Sequence, residues 1–496
     1  MKRLAFGLAA FAATLVFATV LSAAAGDLDP TFAGDGTVIT DFDGGSYDVG
    51  RGVAIQRDRK IVVAGLTQSS TDDAFALVRY SADGTLDGTF DGDGKARTDF
   101  ASSSYENAES VALQSDGKIV AAGGVHILSS GTGDDFGLAR YNPDGTLDTS
   151  FDGDGKVVTD FAGASTDGAR SVAVQPDGKI VAAGISESSP GSGAYEFAVA
   201  RYNSDGSLDT SFDGDGRVVT PISPGSEFPT DVVVQADGKL VVGGDVGSAG
   251  GAMLVRYTAD GGLDSSFDGD GKVFLTDATS SISRLALQSD SKILTAGSTG
   301  VFRVTRFNPN GSVDTSFGEG GNATAPFQAS AVSRALAIQP DGKIVAGGVG
   351  AAGHNFAVAR FQQRGTLDQS FSSDGMVESV LGGPGDRDVA YDLGLAPDGK
   401  IVLAGGSRPT STGPYDFAVA RYLAAPPPCK VPNVRGKKLA AAKASIKKAR
   451  CAVGKVARKT SKRVKKGRVI SQNPRPGASL PNNAKVKLVV SKGRKG

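Results

Sequence analysis

The stretch that decides the fold runs from Phe136 to Phe161 and reads FGLARYNPDGTLDTSFDGDGKVVTDF. Close copies of it recur along most of the chain, aligned on a Leu-Asp-x-x-Phe core, at intervals of 50 to 61 residues. Self-similarity at such a period indicates a repeat architecture, because each unit buries its apolar face against the next. The seven cores begin at Leu28, Leu86, Leu147, Leu208, Leu263, Val313 and Leu367.

Each repeat contains four short, valine-rich apolar segments separated by turn signals such as Asp-Gly, which predicts antiparallel strands rather than helices. Seven four-stranded units predict an all-β, seven-bladed β-propeller over residues 26–422. A linear solenoid is the alternative, but it would usually need atypical capping repeats at both ends. In the third repeat the predicted strands are Lys156–Phe161, Ser171–Gln175, Lys179–Gly184 and Phe197–Tyr202.

The order of strand types predicts how the ring closes. The first strand of the series, Thr37–Phe42, is of the outermost type, whereas the last, Phe417–Tyr422, is of the third type. The final blade therefore lacks an outer strand of its own, and the N-terminal strand is the only one left over. Pairing the two would remove two exposed sheet edges, so we predict that Thr37–Phe42 completes the seventh blade.

The run LDTSFDGDGKVVTDF, followed by SVAVQPDGKIVAAG and FAVARY, resembles the delta-60 repeat family of bacterial exported proteins over residues 27–422. The resemblance implies a β-propeller and adds little about activity. Repeats five and six depart most from the pattern, since Asp290-Ser291-Lys292 lacks the turn glycine and Gly318-Glu319-Gly320-Gly321 replaces the Asp-Gly-Asp-Gly run. Those blades are expected to be less regular.

Every repeat also carries an aspartate in its core and an arginine near the end of its third strand. Seven copies of both residues predict one bidentate ion pair per repeat with a structural role, because a binding or catalytic site needs one constellation rather than seven. The arginines are Arg79, Arg140, Arg201, Arg256, Arg306, Arg360 and Arg421, and the aspartates are Asp29, Asp87, Asp148, Asp209, Asp264, Asp314 and Asp368.

Signals for metal binding and catalysis are weak. Asp-Gly-Asp-Gly runs invite a calcium interpretation, but they lack the third acidic position and the distal glutamate of an EF-hand, so capped turns explain them and no metal is expected. The chain has two histidines, no nucleophile elbow and no phosphate-cradling loop, so no catalytic residue and no cofactor is predicted. Carboxylate pairs keep a secreted carbohydrate-active or lyase-type enzyme as the alternative. The runs begin at Asp91, Asp152, Asp213 and Asp268.

The connections between strands predict where a ligand would bind. In an antiparallel meander the near-identical turns share one face of the propeller, and the variable connections share the other. Binding residues tend to lie on variable loops held by a rigid scaffold, and aromatic side chains suit a glycan or protein partner, although ordinary solvated loops fit the same sequence. The candidate ligand-binding residues are Tyr47, Tyr105, His126, Tyr195, Phe228, His354, Arg408 and Tyr415.

The N-terminal 25 residues resemble an export signal. Lys2 and Arg3 precede an apolar run from Leu4 to Leu21, and small residues follow as far as Ala25, which predicts cleavage before Gly26 and a mature chain outside the cytoplasm. An uncleaved membrane anchor is the alternative, because the run approaches membrane-spanning length. The sequence contains no second hydrophobic span, so no membrane span is expected after cleavage.

Composition changes abruptly after a Pro-rich linker over residues 423–428. Residues 429–496 hold 22 Lys and Arg and no acidic residue, whereas the preceding body has a net charge near −24. We therefore predict a second domain over residues 429–493, with a basic tail over 494–496, that is attracted to polyanions. Nucleic acid is disfavoured as the polyanion, because the predicted export and the lack of base-stacking Phe, Tyr or Trp in this domain both argue against it.

The segments VPNVRGKKLAAAKASIKKARCAVGKV and GRVISQNPRPGASLPNNAKVKLVVSKG resemble a PASTA domain. The residue pattern predicts a helix over Lys437–Arg450 and strands over Val431–Val434, Ala452–Arg458, Arg468–Gln472 and Lys485–Val490. The resemblance implies attachment to peptidoglycan. The absence of acidic residues departs from typical members, and an anionic wall polymer would fit the charge equally well. The candidate wall-binding residues are Arg435, Lys437, Lys438, Arg468, Gln472 and Arg475.

Cys429 and Cys451 are the only cysteines in the chain. In an exported protein an even pair predicts a disulfide, which would stabilise so small a domain by about 3 kcal/mol in the chain-entropy model, although two buried thiols are the alternative. Taken with the repeats and the basic domain, this predicts a secreted, wall-associated and non-enzymatic binding protein.

Overall fold

A computed structural model describes residues 24–496 except 69–71, 102–103, 128–132, 162, 164, 223–224, 248–249, 276–280, 328–329, 351–353, 384, 409–412, 426–428, 481–483 and 495–496. These residues form two compact units, Ala25–Ala425 and a C-terminal unit from Pro426 onward. The predicted signal peptide, apart from Ala24 and Ala25, lies outside the described residues, as do the prolines of the predicted linker. No described helix is long and apolar enough to cross a membrane.

The first unit is the predicted seven-bladed propeller, in which each blade is a four-stranded antiparallel sheet. Blades one to six consist of β2–β5, β6–β9, β10–β13, β14–β17, β18–β21 and β22–β25, and blade seven consists of β26–β28 with β1. The strands are β1 Thr37–Thr40, β2 Tyr47–Ile55, β3 Ile61–Gln68, β4 Asp73–Tyr80, β5 Lys95–Thr98, β6 Ser104–Leu113, β7 Ile119–Ile127, β8 Asp134–Tyr141, β9 Lys156–Thr159, β10 Asp167–Val174, β11 Ile180–Glu187, β12 Tyr195–Tyr202, β13 Arg217–Thr220, β14 Glu227–Val234, β15 Leu240–Val246, β16 Ala252–Tyr257, β17 Lys272–Leu275, β18 Arg284–Leu287, β19 Ile293–Ser298, β20 Phe302–Phe307, β21 Asn322–Ala325, β22 Val332–Ile338, β23 Ile344–Val349, β24 Phe356–Phe361, β25 Met376–Ser379, β26 Arg387–Leu395, β27 Ile401–Arg408 and β28 Asp416–Tyr422.

The N-terminal strand closes the ring as predicted. β1 pairs antiparallel with β28, from Thr37 opposite Ala420 to Thr40 opposite Phe417. The hydroxyl of Tyr80 in blade one donates a 2.8 Å hydrogen bond to Thr40 Oγ1, so β1 also contacts the next blade through a buried bond. The seventh blade therefore uses the two ends of the propeller chain as neighbouring strands.

The same closure rebuilds a turn from two separate pieces of chain. Leu423 N–H donates to Asp27 O at 2.9 Å, and Gly26 N–H donates to Leu423 O at 2.7 Å. The continuous turn of blade two has the two equivalent bonds: Asn142 N–H donates to Thr146 O, and Gly145 N–H donates to Asn142 O. Gly26 and Gly145 both have φ near +94°, a conformation that favours glycine.

Two residues that were predicted to lie outside the propeller, Ala25 and Leu423, belong to it. Ala25, predicted to be the last residue of the signal, is buried, and its carbonyl accepts a bond from Ser372 N–H at 2.8 Å. Leu423, predicted to begin the linker, is also buried. The propeller unit thus extends from Ala25 to Ala425.

The core of each interface between blades contains the phenylalanine of the Leu-Asp-x-x-Phe motif. All seven are fully buried, beside alternating apolar residues of the neighbouring strands. Blade five is the least regular, because its innermost strand β18 has only four residues, and the inner strands β22 and β23 of blade six, with seven and six residues, are also shorter than those of the remaining blades. The phenylalanines are Phe32, Phe90, Phe151, Phe212, Phe267, Phe317 and Phe371.

The C-terminal unit is a small α+β domain. Its helix packs Ala442 and Ile446 into the core, where the Cys429–Cys451 disulfide is also buried. β33 lies between β30, to which it is parallel, and β31, to which it is antiparallel. The predicted helix is shorter than expected by two residues at each end, and 431–434 is not a strand. The elements are β29 Cys429–Lys430, α1 Leu439–Lys448, β30 Ala452–Lys459, β31 Val469–Asn473, β32 Ser479–Leu480 and β33 Lys485–Ser491.

Candidate functional site

A buried ion pair links the arginine of the third strand to the core aspartate in every blade. The arginine Nε lies 2.6 to 2.8 Å from one carboxylate oxygen, and in blade seven Arg421 reaches the N-terminal Asp29. The predicted bidentate geometry is wrong. In blade two, Asp148 Oδ1 accepts instead from Ser150 Oγ at 2.7 Å, and Arg140 Nη2 donates to that same hydroxyl at 3.1 Å.

Three further contacts make this pair a junction between blades. In blade two, Lys118 Nζ lies 2.8 Å from Asp148 Oδ2, and Arg140 stacks 4.5 Å from the ring centroid of Phe151. Arg140 Nη1 also donates to the carbonyl of Ser204 in blade three. Although burial raises the pKa of Asp148, hydrogen bonds from the lysine and the serine, with the arginine charge, hold it well below its usual range.

The sequence analysis missed the lysine of this junction, although it recurs at the same turn in every repeat. Each lysine lies 2.7 to 3.3 Å from the core aspartate. The aspartate, arginine, lysine and phenylalanine of this junction all recur in every blade, which fits a packing role. The lysines are Lys60, Lys118, Lys179, Lys239, Lys292, Lys343 and Lys400.

The eight variable-face candidates form separate groups. Tyr105 lies 6.5 Å from His126, whose Nδ1 contacts Asp134 at 2.6 Å beside a cavity of about 230 Å³. Tyr195 and Phe228 have ring centroids 5.9 Å apart. These two pairs lie at successive blades, so the structure does not gather all the candidates into one site. His354 joins neither pair, and its carbonyl accepts from Asp388 N–H at 2.8 Å.

Phe228 also lines the cavity of the central channel, and three other candidates form a cluster near the channel residues Tyr391 and Arg51. Tyr47 and Tyr415 contact edge to face at 5.6 Å, and Arg408 lies 5.2 Å from the ring centroid of Tyr415. Burial raises the pKa of Tyr47, and so does the neighbouring Tyr391 inside the channel. This aromatic cluster, Tyr47, Tyr415 and Arg408, thus adjoins the channel.

The channel itself contains a cavity of about 390 Å³ lined by residues of all seven blades. Six innermost strands carry a β-bulge, and the bulged residue of each lines this cavity. Because these residues differ from blade to blade, they form one constellation and not a repeated packing element. They are Arg51, Glu109, Arg170, Thr230, Arg334 and Tyr391, joined in blade five by Ser283 and Arg284.

Arg284 extends across the channel between two buried carboxylates. Its Nη2 lies 2.7 Å from Asp392 Oδ1 in blade seven, and its Nη1 lies 3.5 Å from Asp231 Oδ1 in blade four. Although burial lowers the pKa of Arg284, the two carboxylates raise it above its usual value. The channel residues were not predicted from the sequence. The signal that could have found them is the position just before each SVAVQ-type segment, where the residue type varies although the neighbouring positions repeat.

Two groups of three carboxylates occur among the described residues, each with oxygen atoms within 4.8 Å of one another. Neither group includes the Asp-Gly-Asp-Gly runs. In those runs an aspartate caps the following turn, as Asp154 does by accepting from Lys156 N–H at 2.8 Å. The groups are Asp41, Asp48 and Asp416, and Asp135, Asp160 and Asp167.

Asp245 lines the channel cavity and accepts one hydrogen bond, from Ile282 N–H at 2.8 Å. Burial raises its pKa to about 6. Because the folded-state pKa is above the unfolded value, this carboxylate destabilises the fold increasingly as pH rises from about 4 through 6. An Asp245→Asn variant keeps the hydrogen bond and removes that cost.

We expect Asp245→Asn to raise the free energy of unfolding by roughly 2 kcal/mol at pH 8 and to leave it nearly unchanged at pH 4. Urea unfolding of variant and parent at the two pH values measures the difference, and all other titrating groups are common to both proteins. A difference independent of pH would contradict the assignment.

The C-terminal domain presents most of its candidate wall-binding residues to solvent. Arg435, Lys437, Lys438 and Arg475 are exposed, whereas Arg468 is half-buried and donates from Nη1 to Gly436 O at 2.7 Å.

The structure does not place Gln472 at the predicted wall-binding surface. This residue is buried, its Oε1 accepts from Val434 N–H at 2.8 Å and its Nε2 donates to Pro432 O at 2.8 Å, so it fixes the loop before the helix and does not reach a ligand.

Comparison with known proteins gives two family matches. The DUF5122 β-propeller model matches seven segments, residues 56–90, 114–151, 175–212, 235–267, 288–317, 339–371 and 396–424, and the PASTA domain model matches residues 430–492. No curated protein matches the chain.

Solved structures similar to this chain include several propellers. The WD40 β-propeller domain of Doa1 is 12% identical with a TM-score of 0.44, over 77% of this chain and 94% of its own. The polysaccharide lyase Uly1 is 11% identical with a TM-score of 0.44, over 78% and 94%. A protein of unknown function from Dyadobacter fermentans is 11% identical with a TM-score of 0.40, over 78% and 97%. The chain thus belongs to the DUF5122, or delta-60 repeat, β-propeller family and carries a C-terminal PASTA domain.

Proposed function

We propose that this chain is an exported, non-enzymatic binding protein that its PASTA domain attaches to peptidoglycan or to an anionic cell-wall polymer. The observation that carries the proposal is a PASTA domain within a segment, residues 429–496, that holds 22 basic residues and no acidic one. The buried Cys429–Cys451 disulfide supports placement outside the cytoplasm.

The domain displays its charge in a way that favours an extended polyanion. Arg435, Lys437 and Lys438 precede helix α1 as a row of exposed cations, and no described side chain neutralises them by an ion pair. The propeller body, with a net charge near −24, would be repelled by the same polymer. The propeller is then free to present its variable face and channel to a protein or glycan.

Co-sedimentation with purified sacculi tests the attachment. We expect both the full chain and residues 426–496 alone to sediment at low salt, and the bound fraction to fall as added salt shortens the screening length. A propeller lacking residues 426–496 should remain in the supernatant. If the isolated domain stays in the supernatant at low salt while the propeller sediments, the attachment is assigned to the wrong unit.

Two triple variants of equal net charge separate a defined surface from bulk electrostatics. One replaces Arg435, Lys437 and Lys438 by Gln, and the matched control replaces Lys443, Lys447 and Lys448, which are exposed on helix α1. We expect the first variant to lose at least tenfold more affinity than the control, because it removes the cations at the predicted surface. Equal losses would show that charge alone holds the domain to the wall.

A further inference from the structure

The channel cavity contains two guanidinium groups that form no ion pair with any described residue. Arg51 and Arg334 each place a buried Nε without a hydrogen-bond partner, and their Cζ atoms lie 4.2 and 4.9 Å from the ring centroid of Tyr391. The other two arginines of the cavity differ, since Arg170 pairs with Glu109 at 3.4 Å and Arg284 pairs with two aspartates. Arg51 and Arg334 are therefore the cavity arginines that form no ion pair within the described part of the chain, although the charge of Glu109 acts on Arg334 from a distance.

This arrangement works against stability. Burial lowers the pKa of Arg334 and the nearby charge of Arg51 lowers it further, whereas Tyr391 and Glu109 oppose this shift without cancelling it. Buried charges are normally paired, because an unpaired one forfeits its hydration without replacing it. A cation–π contact with Tyr391 replaces only part of that loss, since it leaves the buried Nε–H donors of both side chains without acceptors. Groups that cost stability in an accessible cavity are typical of ligand sites.

We propose that Arg51 and Arg334 bind the oxyanion of an acidic carbohydrate, a sugar that carries a carboxylate, sulfate or phosphate group. Guanidinium groups match the planar or tetrahedral oxygens of such anions, and charge-assisted hydrogen bonds to them are the strongest available here. The two arginines extend from blades one and six, which flank the blade of Tyr391, so both can donate to an anion bound in the same cavity.

The surroundings favour a sugar over a simple inorganic ion. The rings of Phe228 and Tyr391 line the cavity, and Tyr47 of the aromatic cluster interacts with Tyr391 and Arg51. Aromatic rings provide flat apolar faces that suit a sugar ring. The cavity volume of about 390 Å³ falls within the usual range of small-molecule sites. This site names a ligand class for the binding role proposed above, and it fails independently of attachment to the wall.

Titration calorimetry on the full chain tests the site with four probes: D-galacturonate, D-galactose, inorganic sulfate and inorganic phosphate. We expect binding of galacturonate and no detectable binding of galactose. Arg51→Gln and Arg334→Gln should each weaken galacturonate binding by roughly tenfold to a hundredfold, because each removes charge-assisted hydrogen bonds. Their melting temperatures should equal or exceed that of the parent, since each variant removes an unpaired buried charge.

Arg97→Gln is the matched control, because Arg97 forms ion pairs with Asp43, Asp72 and Asp99 far from the channel lining. It should bind galacturonate as the parent does, and the basic domain contributes equally in every variant. Galacturonate affinity within twofold of the parent in both channel variants would overturn the site. Sulfate or phosphate bound as tightly as galacturonate and lost in the same variants would overturn the carbohydrate assignment.

Discussion

Deletion of residues 25–45 is expected to abolish cooperative folding of the propeller. The deletion removes β1 and with it the partner strand of β28, so that blade seven has three strands and an open edge. It also removes Asp29, which leaves Arg421 and Lys400 buried or half-buried without their carboxylate. Breaking a buried ion pair by removing one partner costs about 3 to 5 kcal/mol, a large share of the stability of an ordinary domain.

Far-ultraviolet circular dichroism during heating measures this result. Deletion of residues 426–496 is the matched control, because that segment forms a compact unit of its own and its loss should leave the propeller transition in place. A synthetic peptide of residues 24–45 added to the truncated protein should restore the transition in part. Unchanged melting after deletion of residues 25–45 would contradict closure by β1.

Arg140→Met is expected to lower the free energy of unfolding by roughly 3 kcal/mol. The substitution leaves Asp148 with Lys118 as its only cation, removes the contact with the Ser204 carbonyl of the next blade, and takes the guanidinium from the face of Phe151. Methionine fills much of the volume, so the loss reports the charge and hydrogen bonds more than a cavity.

Arg97→Met provides the comparison in urea unfolding. Arg97 contacts three carboxylates, more than Arg140 does, but their side chains are 35% to 44% exposed. Exposed ion pairs contribute about 0 to 1 kcal/mol each, so this variant should lose far less stability. Equal losses in the two variants would mean that burial does not determine the strength of these pairs.

The architecture was predictable because its signals are local and repeated. In six of the seven blades the arginine, aspartate and phenylalanine lie within twelve residues of one another, and the order of strand types alone placed β1 in blade seven. A further regularity was readable in the sequence but went unused. The hydroxyls of Tyr141 and Tyr202 donate to threonines that end the outer strand of the preceding blade. Where that outer strand ends in Leu275 or Ala325 instead, the tyrosine position holds Phe307 or Phe361, which has no hydroxyl.

The channel was not predictable from the sequence in the same way. Arg51 and Tyr391 are 340 positions apart, and only the bulge in each innermost strand turns both toward the same cavity. Gln472 shows the opposite failure, because a polar residue in a recognisable motif was expected to reach a ligand and instead bonds the backbone of its own domain. Whether a polar side chain turns inward or outward depends on partners that the local sequence does not reveal.

The turn that joins Leu423 to Gly26 and Asp27 has a topological consequence. Ala424 and Ala25 occupy positions that Pro143 and Asp144 fill as bonded neighbours in blade two, so the seventh blade is a copy of the others with one peptide bond left open. A circular permutant of the propeller could therefore join Ala424 directly to Ala25 without a linker and open the chain at the matching turn of any other blade. In that sense the ring has seven equivalent places at which a chain could begin.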